Sequence, residues 1–181
     1  EIEGWILTID IAQLQLEKQL GGDTMVRTEA LRDAIKILEA EVEPAQQTGI
    51  ELLQKRVQLF KADIHRLYGE TGKAFSIWSA LSRDESIERS WQAKSLLGLT
   101  QLALELGDLG AAEQMVTHLN HSKFATEPFI RDAAIQKWLE AVIHNDISNP
   151  YGELETIIHR HAAHPIIALR AGILQAERQQ E

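Results

Sequence analysis

With 181 residues, 44% of them hydrophobic and 25% charged, the chain has the composition of a folded globular protein and enough length to bury a sizeable core, which excludes a disordered tail. A net charge of −9 repels phosphate backbones, so nucleic acid is excluded as a partner unless basic residues gather on one face. The lack of cysteine excludes disulfides, a thiolate nucleophile and cysteine-ligated metal, and no apolar run approaches the roughly 20 residues that span a bilayer.

Apolar residues recur at helical spacing almost throughout. Trp5, Ile6, Ile9, Ala12, Leu16 and Leu20 form a first stripe closed by Gly21-Gly22. Ala30, Leu31, Ala34, Ile35 and Leu38 form a second, ending before Pro44. Ile50, Leu53, Val57, Phe60, Ile64 and Leu67 make a longer third stripe that Gly69 stops. A shorter helix follows through Phe75, Ile77, Trp78 and Leu81. Ser82-Arg83-Asp84-Glu85 has the form of a capping box, in which two orphan amide donors are satisfied reciprocally. The helix expected after it carries Trp91, Leu96, Leu99, Leu102 and Ala103 down to Gly107. Another runs from Leu109 through Met115, Val116 and Leu119. Thr126-Glu127-Pro128 opens the next, with proline tolerated in the first turn because its missing N–H would be unpaired anyway. Asn149-Pro150 opens one more, and Pro165 precedes a last amphipathic segment, Ile166 to Ala176. No stretch alternates with period two. The fold class is all-α, with about eight or nine helices expected.

Two of the turns share letters. Gly69-Glu70-Thr71-Gly72-Lys73-Ala74 and Gly107-Asp108-Leu109-Gly110-Ala111-Ala112 both read Gly-acid-x-Gly-x-Ala, 38 residues apart. A further step of the same size lands on Asn145-Asp146-Ile147-Ser148-Asn149-Pro150, a degraded copy in which Asn replaces Gly at a left-handed position. Three turns at one period, each ending one stripe and starting the next, make an internal repeat. The first Gly supplies positive φ at a helix C-terminus. The acid sits near the following N-terminus, where the macrodipole favours it. The small Ala lets the two helices pack closely.

The same letters exclude a nucleotide loop. A Walker-type loop needs G-x-x-x-x-G-K-[ST] between a strand and a helix. Here the first Gly would be Leu67, the hydroxyl would be Ala74, and a long helix precedes the turn.

The pattern resembles tetratricopeptide repeats. Leu96, Leu99, Thr100 and Ala103 occupy that family's large–large–small–large positions of the first helix, Gly107 sits in its turn, and Ala112 and Val116 take the small and large positions of the second. An earlier copy matches through Ala62, Ala74 and Trp78 but has Lys61 and His65 where apolar residues are usual. A later copy places Trp138 at an expected small position, and the period exceeds the family's usual value of about 34. The resemblance covers roughly residues 50–160. It implies a right-handed array of antiparallel helical hairpins: residues 1–48 as an N-terminal hairpin, either divergent repeat or cap, and 49–181 as repeats with a C-terminal capping helix.

In such arrays a partner lies along the concave face lined by the first helix of each pair. The resemblance places Arg56, Leu59, Asp63 and Arg66 there in one copy, and Lys94, Leu97, Gln101 and Leu104 in the next. Arg56, Arg66 and Lys94 then form a basic patch suited to an acidic segment or a C-terminal carboxylate. The bland alternative is a set of solvated helix charges. Of the four tryptophans, Trp5, Trp78, Trp91 and Trp138, each falls on or beside an apolar stripe and reads first as core. Trp91, near a helix start and outside the regular packing positions, is the one best placed as an exposed binding anchor.

Little supports catalysis. No G-x-S-x-G elbow is present, and Asp10, Asp33 and Glu39 are spread along expected solvent faces rather than paired. His159, His161 and His164 cluster in HRHAAH; if the helix from Pro150 continued that far, His161 and His164 would share a face as metal ligands can. A polar helix end whose protonated His complements the dipole is the alternative, and it also fits His118 and His121. The reading is a non-catalytic protein-binding adaptor or scaffold without a cofactor, with a structural or oligomerising domain as the alternative. In that case the stripe from Trp5 to Leu20 is the expected site of homodimerisation. A start at Glu1 without methionine is expected of part of a longer or processed chain, and the compartment is left open between cytoplasm and periplasm.

Overall fold

A computed structural model describes residues 51–145 and 150–178. Seven α-helices run through them: α1 (Glu51–Leu67), α2 (Thr71–Arg83), α3 (Arg89–Glu105), α4 (Leu109–Leu119), α5 (Pro128–Asn145), α6 (Pro150–Arg160) and α7 (Pro165–Arg178). One 3₁₀ turn, Ser122–Phe124, lies between α4 and α5, and no strand occurs among the described residues. The protein is all-α. Against the eight or nine helices expected for the whole chain, the stripes at 5–20 and 30–38 lie outside the described residues, as do residues 146–149 of the third turn and the domain boundary at 48–49; Asn145 is described, and it ends α5 in helical conformation instead of taking the left-handed position expected of it. The chain divides into two compact units, Glu1–Leu81 and Ser82–Glu181.

In the first unit the apolar spacing of α1 buries Val57, Phe60 and Ile64 together with Ala62. Glu51 and Lys55 pair at 3.0 Å across one turn of the other face, a contact of about 0.3–0.5 kcal/mol at an exposed site. On α2 the buried apolar residues are Ala74, Trp78 and Leu81; Phe75, part of the expected stripe, lies on the open side instead.

The two shared turns have the same geometry. After α1, Gly69 takes φ +75°, its N–H donates to the Arg66 carbonyl at 2.9 Å, and the Glu70 N–H donates to the His65 carbonyl at 2.8 Å. After α3, Gly107 takes φ +76°, its N–H donates to the Leu104 carbonyl at 3.0 Å, and the Asp108 N–H donates to the Ala103 carbonyl at 2.8 Å. Both are Schellman caps, which satisfy carbonyls that the helix end would orphan. The acid then serves the next helix: Asp108 Oδ1 accepts from the Ala111 N–H at 2.9 Å as an N-cap, and Glu70 accepts from Lys73 Nζ at 2.9 Å. Lys73 first, then His65, holds the exposed Glu70 carboxyl below the usual glutamate range.

The two glycines of the motif therefore have different roles. A Cβ on Gly107 would touch nothing, so Gly107→Ala meets only the left-handed backbone, at a cost of about 1–2 kcal/mol. Gly110 is helical, and its Cβ would sit at an ordinary 3.6 Å from Asp108 Oδ1, so Gly110→Ala is expected to be neutral or to stabilise by up to ~1 kcal/mol. Thermal melts of the two variants against wild type measure the contrast, which disappears if the turn can relax to negative φ.

The capping box does not form. Ser82 and Arg83 are the last residues of α2, and α3 begins only at Arg89, after Glu88, whose side chain makes no capping bond. Asp84 instead turns the chain locally: its Oδ1 accepts from the Ser86 N–H at 2.9 Å and the Ser86 hydroxyl at 2.6 Å. Such a local bond competes with helix initiation. Gln92, itself buried, fastens this linker to α3 by donating to the Asp84 carbonyl at 2.7 Å.

Within the second unit α3 packs on α4 and α5, α4 on α5, α5 on α6 and α7, and α6 on α7. Helix α3 is accordingly buried on more than one side, at Ala93, Leu96, Leu99, Leu102 and Ala103. Its buried hydroxyls bond back along the helix, Thr100 Oγ1 to the Leu96 carbonyl at 2.8 Å and Ser95 Oγ to the Trp91 carbonyl at 2.9 Å. Ala112 and Val116 are fully buried on α4, as are Ile135, Trp138 and Leu139 on α5. Leu154 and Ile157 of α6, with Ile167 and Ala171 of α7, complete the core. Each large side chain of this set contributes about 1.5–3 kcal/mol by leaving water.

Candidate functional site

Two places in the second unit combine access with polar groups. The first is the open face of α3. Trp91, Lys94, Leu97, Gln101 and Leu104 recur every three or four residues and so share a side of the helix. Lys94 is exposed and the other four are half-buried, beside packing positions that are closed. The corresponding residues of α1, Arg56, Leu59, Asp63 and Arg66, are all half-buried in the first unit. Arg56, Asp63 and Arg66 each already have an interaction partner, so they are not merely solvated charges.

Trp91, expected as an exposed residue, is half-buried. Among the described aromatic residues Phe129, 89% exposed in the first turn of α5, stands furthest into solvent, ahead of Phe75 and Tyr68. Its position was legible in the helical phase: residues 129, 133, 136 and 140 lie on one side, and the buried 135, 138, 139 and 142 lie on the other.

The second place is a polar cluster beside a cleft. Helix α6 ends at Arg160, so the histidines that follow do not continue one helical face; His161 and His164 lie in the turn to α7. His161 is buried, and its Nε2 is 2.8 Å from Glu113 Oε1 on α4. A carboxylate only accepts, so Nε2 carries the proton and donates. Arg160 Nη1 spans both oxygens of the same carboxylate at 3.1 and 3.2 Å. The His161 ring meets Trp138 edge-on at 5.6 Å, and His164 Nδ1 is 3.2 Å from Asn120 Nδ2 at the end of α4. His159 points outward. Among the described residues no group of three or more His, Asp or Glu side chains could hold a metal ion. Glu113 was not legible as a partner, because 48 residues separate it from His161.

Beside this cluster a cleft of about 370 Å³ opens between α4, α5 and α6. Leu109, Val142 and Ile157 form its apolar wall, with Glu113, Glu153 and Arg160 at the rim. Its lining contains no Ser, His or Lys, and of its two carboxylates Glu113 is already bonded to Arg160 and His161.

His118, near the end of α4, departs from the helix-dipole expectation. Burial first, then the positive Lys123 and His121, holds its imidazole below the ordinary histidine value of 6.5. As pH falls, the unfolded chain takes up this proton before the folded one does. Stability therefore declines as pH drops below about 6.5 and stops declining once the folded imidazole also protonates. An NMR titration is expected to give His118 a midpoint below that of histidine in the unfolded chain; an equal or higher midpoint would mean that the dipole prevails.

No protein-family model, curated protein or solved structure matches the chain. Among the described residues no helix is long and apolar enough to cross a membrane.

Proposed function

We propose that the chain is a non-catalytic protein-binding module, a tetratricopeptide-like array of helical hairpins that takes a peptide or helical segment along the first-helix face. The observation that carries this reading is the division of α3 into two sides. Its repeat packing positions Leu96, Leu99, Thr100 and Ala103 are all buried, while Lys94, Leu97, Gln101 and Leu104 remain accessible along one line. The pair of Schellman turns 38 residues apart, with matching hydrogen bonds, supports a repeated hairpin as the building unit. Lys94, exposed on α3, favours an acidic group in the partner.

The test is affinity capture on the wild-type chain beside a Lys94→Glu/Gln101→Glu variant, with matched melting curves to show that both are folded. A protein retained by wild type and lost by the variant supports the α3 face. Equal capture by both removes that face from the reading. The alternative, a structural or oligomerising domain, draws on a different surface.

A further inference from the structure

No further inference is drawn: the strongest candidate, the exposed apolar line of Leu169 and Ile173 on α7, is an unpartnered helix face, and nothing in the structure shows what covers it.

Discussion

Trp138→Ala is expected to cost about 3–5 kcal/mol. The indole is 1% exposed on α5, the helix that packs against α3, α4, α6 and α7. Its removal opens a cavity whose walls belong to several helices, which cannot all move inward together. Domains of this size are stable by about 5–15 kcal/mol, so the variant loses a large share of the total. Urea denaturation should show a lower midpoint with an unchanged slope. A loss under about 1 kcal/mol would mean that the helices collapse onto the gap.

Glu113→Ala should cost about 1–3 kcal/mol. Truncation leaves the buried His161 donor without an acceptor, and that penalty exceeds the net worth of the bond itself. Glu113→Gln keeps an acceptor oxygen and should recover most of the loss. Arg160→Ala serves as the comparison: its side chain is 52% exposed, and a solvent-screened ion pair contributes at most about 1 kcal/mol. If Arg160→Ala and Glu113→Ala cost the same, the exposed ion pair rather than the buried imidazole accounts for the contact. Denaturant midpoints of the three variants decide the order.

The elements legible from sequence were those that depend on local spacing. The stripe Val57, Phe60, Ile64 predicts α1, and Pro128, Pro150 and Pro165 each open a helix as expected. Gly69 and Gly107 were legible because only glycine takes positive φ at little cost, and each closes a helix in that conformation. The misreadings arose where one local rule met another. Ser82-Arg83-Asp84-Glu85 satisfies the capping pattern, but Ser82 is buried on α2 and Asp84 bonds Ser86 instead. Partners distant in sequence were out of reach for a different reason. The pairs Glu113–His161 and Asp132–Arg170 depend on which helices become neighbours, and helical periodicity carries no such information. The candidate face was legible in the half-open line on α3, which follows from its phase.

Each helix of the second unit packs against its neighbour in sequence, or against the next but one. Few segments must therefore search through a long intervening loop before their contacts reward them, and the loop-closure entropy of the rate-limiting step is small. Such a unit folds on the microsecond-to-millisecond scale of helical proteins rather than the slower scale of sheets. On a ribosome, α3 and α4 can form their hairpin while α6 and α7 are still being synthesised.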